Sequence, residues 1–289
     1  MSLLLGKPAA QQLREKQFQR VNNLRAKDLI PRLDIILLCQ SLDESPYVLA
    51  KKKACEDIGI ECVIHQFPVH TSQSDLLHYI HALNHDPACG ALICQLPLGA
   101  HIDTEEVVRA IDKTKDIDGF HPENLGGLAL GHSDVFVPCT PAGILYLLRY
   151  YNIPLLGKHI VILGRSRIVG LPLHLLLSQK TVGATVTLCH SQTPHLADFC
   201  RQADILIAAT GKAHLVKADW ISPDAILVDV GITQVPDPNA RRGYILQGDI
   251  DPEAGEKARA VTPVPGGVGP LTVAMVIENC LKAWEKRLD

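Results

Sequence analysis

The segment SPYVLAKKKA places Tyr47 and Lys51 one helical turn apart, on a common face near the start of a predicted helix, with Lys52 and Lys53 turned elsewhere. A lysine beside a tyrosine, close to the positive end of a helix and in a pocket that excludes water, can transfer protons near neutral pH. Two more polar groups stand where apolar residues are expected. Gln95 ends the buried-type strand of ALICQLPLG, and Asp118 precedes Gly119 in KTKDIDGF. Strand ends and loops of an α/β domain are where ligand groups gather. Taken singly, each has a structural alternative: a solvated lysine face, a polar strand cap, an Asx-turn. His78, His81 and His85 share a helix face in HYIHALNH, but no cysteine or H-E-x-x-H arrangement accompanies them. They read as surface histidines, and no metal is expected.

A second chemistry is written in VILGRSRIVGLP, where Gly164-x-Ser166-x-x-x-Gly170 follows a predicted strand and opens a predicted helix. The regular G-x-G-x-x-G pattern fails at its second glycine, so the spacing alone says little. The context says more: a strand-to-helix turn in a βαβ unit offers backbone N–H groups to a pyrophosphate. An NAD site would carry Asp or Glu at the end of the next strand, and LCHSQT has neither. Ser191 can donate to a 2′-phosphate and Arg165 can offer it a charged fork, which favours NADP over NAD. A ligand-free turn and a solvated Arg165 are the alternatives.

The elements that must position these groups alternate along the chain. RLDIILLC, ECVIHQFP and GALICQLPL read as strands, with helices in SPYVLAKKKACEDIG, SQSDLLHYIHALNHD and DTEEVVRAID. Ser45 and Pro46 mark one helix start, and Thr104 with Glu105 and Glu106 another. DIDGFHPENLGGLALG reads as an irregular connection, TPAGILYLLRYYNIP as a helix, and the boundary falls near Pro138 to Pro141. KHIVILG, ATVTLCH, DILIAATG, AILVDVGI and GYILQGDI then give a second strand-helix alternation. In LTVAMVIENCLKAWEKRL, the spacing of Val273, Val276, Ile277, Cys280, Leu281 and Trp284 predicts a closing helix that packs on the first domain. The fold class is α/β in two domains, the first carrying the substrate and the second Rossmann-like, with a cleft between them.

Composition agrees with that division. The chain has 289 residues, 47% of them hydrophobic, enough for two cores, and 28 basic residues against 31 acidic ones without long blocks. A small-molecule partner is expected, with no nucleic acid and no membrane. MSLLLGKPAAQQLREKQ lacks a signal-peptide core, and the nine cysteines form no C-x-x-C pair, so a reducing cytoplasmic location is expected.

SPYVLAKKKA, CQLPLG, KDIDGFHPENLGGL, VPCTPAGI, LGRSRIVGLP, TLCHSQT, AATGK, DVGI, GDI and TPVPGGVGPLTVAM together resemble the bifunctional methylenetetrahydrofolate dehydrogenase/cyclohydrolase (FolD) family, in order and over nearly the whole chain. The resemblance implies NADP-dependent oxidation of 5,10-methylenetetrahydrofolate to the methenyl form, followed by hydrolysis to 10-formyltetrahydrofolate, a step of one-carbon metabolism serving purine biosynthesis. It implies Lys51 as the key catalytic group, Tyr47 stacked on the folate, Gln95 holding Lys51 and Asp118 binding the pterin. It extends the folate site to Cys94, Leu96 and the loop residues Pro263, Val264, Pro265, Gly266, Gly267, Val268 and Gly269. The implied cofactor site comprises Gly164, Arg165, Ser166, Ile168, Val169, Gly170, Ser191, Thr210, Gly211 and Ile232. Residues 1–138 with the helix 271–289 would form the folate domain and residues 139–270 the NADP domain, in a homodimer joined through the latter. Gly99 departs from the proline that many bacterial members carry after Q-L-P-L. The competing readings are a shikimate-dehydrogenase-like NADP enzyme, which would lack TPVPGGVGP, and a nucleotide-binding regulator, which would have lost Tyr47, Lys51, Gln95 and Asp118.

Overall fold

Strands buried on both faces of a parallel sheet need near-continuous apolar runs, and the first half of the chain supplies them. The computed structural model describes residues 1–240 and 243–288. Its first half runs β1 (Ser2–Leu3), α1 (Gly6–Arg25), β2 (Arg32–Leu38), α2 (Pro46–Glu56), β3 (Glu61–Phe67), α3 (Gln73–His85), β4 (Ala91–Cys94), α4 (Thr104–Ala110), α5 (Pro122–Leu130) and α6 (Cys139–Tyr150). The second half runs β5 (His159–Leu163), α7 (Gly170–Leu177), β6 (Thr185–Cys189), α8 (Leu196–Arg201), β7 (Ile205–Ala208), β8 (Ile226–Asp229), β9 (Thr233–Pro236), β10 (Tyr244–Gln247), α9 (Pro252–Lys257), β11 (Ala260–Val261) and α10 (Gly269–Glu285).

The chain divides into two compact units, residues 12–139 with 273–289 and residues 1–11 with 140–272, here the Lys51 unit and the Gly164 unit. Residues 1–11, expected in the substrate domain, therefore group with the glycine turn. The cause is nonlocal: β1 lies parallel to β11, Ser2 opposite Ala260 and Leu3 opposite Val261.

In the Lys51 unit, β2 is the centre of a three-stranded parallel sheet of order β3-β2-β4. Ile36, Leu92 and Cys94 of this sheet bury themselves with Leu76, Ile80 and Leu83 of α3 and Val107 of α4. From α10, Trp284 donates its indole N–H to the Arg32 carbonyl at 2.9 Å. Pro46 is the first residue of α2, as expected, but the Ser45 side chain makes no capping bond. Thr104 is likewise one residue inside its helix; Asp103 caps α4, accepting from the Glu105 and Glu106 amides at 2.8 and 3.2 Å. The stretch expected to be irregular contains α5, started by Pro122 and stopped by Gly131 at a φ of 78°. Its internal glycines disguise the helix, yet Gly127 is there for packing, since a Cβ would lie 2.3 Å from Val135 Cγ1.

The Gly164 unit holds a six-stranded parallel sheet of order β1-β11-β8-β7-β5-β6. Val161, Leu163, Leu206, Ala208 and Leu227 pack there against Cys200 of α8 and Ala254 of α9. GYILQGDI does not continue the parallel alternation. Its strand β10 pairs antiparallel with β9 in a separate ribbon, because the intervening segment is too short for a crossover.

Candidate active site

The parallel sheet of the Lys51 unit delivers its polar groups at strand ends. Gln95 follows β4 directly, its amide bonded to the Ile36 carbonyl at 2.9 Å. Its side-chain Nε2 donates to the Leu96 carbonyl at 2.8 Å, which turns Oε1 toward Lys51. Lys51, only 8% exposed on α2, donates to that oxygen at 3.0 Å. Tyr47 lies one turn earlier on the same helix and is 55% exposed. Asp118 is reached through a segment that runs beside β4, where Asp116 bridges Leu92 and the Leu92 amide bonds the Lys115 carbonyl at 2.8 Å. Gly119, with a φ of 73°, closes the turn, since a Cβ would lie 2.6 Å from the Phe136 carbonyl.

Electrostatics tie these groups together. Burial pushes the Asp118 carboxyl up, and the Lys51 ammonium opposes it. Burial, then the Asp118 charge, pushes the Cys94 thiol up to about 12. The Cys139 thiol is pushed up by burial and by Asp118, with Lys51 opposing. A buried cation beside a neutral amide and an acidic group is suited to moving a proton at a bound substrate.

Two residues of this neighbourhood escape the sequence reading. Asn279 of α10 donates Nδ2 to the Ile117 carbonyl at 2.8 Å and the Val137 carbonyl at 2.9 Å, clamping the segment that carries Asp118. Cys139 donates to the Ile117 carbonyl at 3.6 Å. A polar residue inside the apolar stripe of VIENCLK was the available signal for Asn279. His81 and His85 stack with centroids 4.3 Å apart, and among the described residues no group of three or more His, Cys, Asp or Glu could hold a metal.

The Gly164 unit builds its site from backbone. Gly164 has a φ of 106°, and a Cβ there would lie 2.1 Å from the Ala209 carbonyl oxygen. At Gly170 it would lie 1.9 Å from the Gly164 oxygen. Between them, the Val169 amide bonds Ser166 Oγ at 3.2 Å and the Leu171 amide bonds the Ser166 carbonyl at 3.0 Å. Arg165, Ser166 and Ile168 are exposed on this turn, and Ser191 is exposed beyond β6, whose end carries no carboxylate. A cradle only glycine can form, leading into a helix, with cationic and hydroxyl side chains and no acid, fits a phosphorylated dinucleotide.

Thr210 and Gly211 follow β7, and Ile232, 41% exposed, follows Gly231 beyond β8. The loop Pro263–Gly269 leaves β11 through Thr262 and runs into α10. The Gly267 amide bonds the Pro263 carbonyl at 2.8 Å, and the Gly6 amide bonds the Gly266 carbonyl at 2.8 Å. Both Leu96–Pro97 and Val264–Pro265 are cis peptides. Val268 is buried and Pro265 exposed.

Comparison with known proteins shows the family. The family profile described as "Tetrahydrofolate dehydrogenase/cyclohydrolase, catalytic domain" matches residues 4–118, and the profile for the NAD(P)-binding domain of the same family matches residues 138–288. A bifunctional protein FolD of Prosthecochloris aestuarii is 43% identical over 291 residues, covering 99% of both chains. The crystal structure of the FolD methylenetetrahydrofolate dehydrogenase/cyclohydrolase of Campylobacter jejuni superposes with a TM-score of 0.93 at 40% identity, over 99% of both chains. The Trypanosoma brucei enzyme, solved with NADP cofactor and inhibitor, gives 0.92 at 34% identity over 100% of this chain and 98% of its own. Shikimate 5-dehydrogenase of Listeria monocytogenes reaches a TM-score of 0.54 at 14% identity over 90% of this chain and 96% of its own, a likeness of fold alone. With a lysine site of this geometry, a glycine cradle free of acid and full-length relatives of this kind, the chain belongs to the tetrahydrofolate dehydrogenase/cyclohydrolase family.

Proposed function

We propose that the protein oxidises 5,10-methylenetetrahydrofolate to the 5,10-methenyl form with NADP⁺ and hydrolyses that product to 10-formyltetrahydrofolate. The observation that carries the reading is the buried Lys51 side chain bonded to Gln95 at 3.0 Å, with its charge working against the upward push of burial on the Asp118 carboxyl. When bound, NADP⁺ supplies the acceptor for a hydride leaving the bridging carbon. Arg165 and Ser191 hold the 2′-phosphate, the turn from Gly164 to Gly170 holds the pyrophosphate, and Ile168, Thr210, Gly211 and Ile232 complete the cofactor site.

The chain's own groups do the rest. Tyr47 offers an exposed ring for stacking on the folate, and Asp118 binds the pterin's N–H groups. Cys94, Leu96 and the loop Pro263–Gly269 line the remaining folate surface. Hydride transfer asks mainly for positioning. Hydrolysis adds water to the methenyl carbon, and the C–N bond to one ring nitrogen then breaks. Lys51, held by Gln95, acts as the neutral amine: it takes one proton from the attacking water and, as the ammonium so formed, gives it to the departing nitrogen, while the remaining hydroxyl proton leaves to solvent as the formyl carbonyl forms on the other nitrogen.

We further propose that the enzyme works in the cytoplasm, where its free cysteines stay reduced and its product serves purine biosynthesis. A homodimer through the Gly164 unit is supported by the position of β6 at the end of the sheet, with one edge that pairs with no further strand among the described residues. Among the described residues no helix is long and apolar enough to cross a membrane. Incubation with methylenetetrahydrofolate and NADP⁺ should produce NADPH and methenyl absorbance, and added methenyl substrate should disappear faster than its spontaneous rate. Absence of both changes defeats the reading. Sedimentation at equilibrium should give twice the chain mass.

A further inference from the structure

Two carboxylates of the Gly164 unit have no part in the chemistry above. Asp229 ends β8 in the segment DVG, and Asp249 follows β10 in the segment GDI; both are buried. The segments are reciprocal. Asp229 Oδ1 accepts the amides of Gly231 at 3.0 Å and Asp249 at 2.9 Å, while Oδ2 accepts the Ile250 amide at 2.9 Å. A Cβ on Gly248 would lie 2.0 Å from Asp229 Oδ2, and one on Gly231 would lie 2.1 Å from Asp249 Oδ1. Each aspartate fills the space that the other segment's glycine leaves.

Asp249 faces the end of β7. Its Oδ2 accepts the Thr210 amide at 2.5 Å, the Thr210 hydroxyl at 2.9 Å and the Gly211 amide at 3.1 Å. Asp249 Oδ1 is buried with no partner among the described residues. A carboxylate withdrawn from water is costly unless its bonds compensate, so the three donors on Oδ2 are what keep it in place. The same bonds fix the turn. Around Gly211, at a φ of 68°, a Cβ would meet nothing within 4 Å, so that side of the turn is open to a flat ring.

We propose that Asp249 is a positioning residue that fixes the Thr210–Gly211 turn for the nicotinamide cofactor, and thereby serves the dehydrogenase reaction and not the hydrolysis. The proposal rests on the function proposed above and assigns to DVG and GDI a role that neither segment shows alone.

The test uses the full chain. Asp249→Asn keeps the volume but replaces a charged acceptor by a neutral one and leaves a buried N–H where Oδ1 had no partner. Titration of cofactor-free protein with NADPH, followed by nucleotide fluorescence, should show Kd raised about tenfold, and KM for NADP⁺ should rise in parallel. Hydrolysis of methenyl substrate without nucleotide should change less than twofold. Thr210→Val removes the hydroxyl's bond to Asp249 Oδ2 and its weaker acceptance of the Lys212 amide at 3.3 Å while keeping both backbone amide bonds, and should raise Kd about threefold, which keeps the question open to measurement if Asp249→Asn does not fold. Unchanged NADPH affinity overturns the proposal. So do equal losses in hydrolysis and NADPH binding, which would mark a general structural role. A wild-type protein that binds NADPH but transforms no folate would defeat the functional reading while the titration still decides this one.

Discussion

In the Lys51 unit the candidate reactive groups are side chains that hold one another: the Gln95 amide is anchored on the Leu96 carbonyl, Lys51 on Gln95, and the Asp118 segment on Asn279. In the Gly164 unit the candidate site is mostly backbone, with glycines in near contact with carbonyls and two amides collected by one carboxylate. The lesson is a division of vulnerability. Where side chains do the work, a substitution of equal size can abolish chemistry and leave the fold intact. Where backbone does the work, a substitution acts through shape and changes affinity. Both units place their groups beyond the ends of parallel strands, so the difference is in the material and not in the topology.

The strongest way to break this contrast is Lys51→Met, which keeps length and stem and removes the ammonium. Hydrolysis should fall by roughly 10²-fold or more, with oxidation of the methylene substrate losing less, because hydride transfer needs no proton from Lys51. The matched change Lys52→Met, about 100° around the helix, should leave both rates near normal. Full hydrolysis above the spontaneous rate in Lys51→Met would mean that another group moves the proton.

Next in size is Arg165→Ala, which removes a charged fork from the glycine turn. KM for NADP⁺ should rise by the equivalent of about 1.5 to 3 kcal/mol, and KM for NAD⁺ much less. Equal weakening of both cofactors would remove Arg165 from the 2′-phosphate. The smallest effect is expected from Ser191→Asp, which should disfavour NADP⁺ by a few-fold through repulsion at the end of β6. If the NADP⁺ to NAD⁺ ratio of kcat/KM is unaltered, Ser191 is not at the ribose.

The same division governs what could be read from the sequence. Gln95 and Asp118 stood out as polar residues at a strand end and in a loop, and Lys51 through its one-turn spacing from Tyr47 near a helix start. Of their mutual contacts, the Lys51–Gln95 bond was legible only through the family resemblance, since it joins side chains 44 residues apart. Gly164 and Gly170 were legible through their context and not their spacing, because the turn between a strand and a helix demands them locally. Asp249 was visible only as part of a motif; its partners Thr210 and Asp229 come from distant strand ends. Glycines misled in PENLGGLAL, where packing against Val135 and not a loop explains Gly127. Alternation misled in GYILQGDI, because a period of two does not distinguish a strand in a ribbon from one in the main sheet.

The pairing of Ser2 with Ala260 has a temporal meaning. During synthesis β5 to β8 are made before β11, and the edge formed by β1 must wait until β11 has followed them. The sheet around β2 waits for its own late cover, because Trp284 reaches the Arg32 carbonyl only when α10 has left the ribosome. Each unit is thus closed by a contact between segments far apart in the chain, and a chain stalled before β11 would leave both contacts unmade.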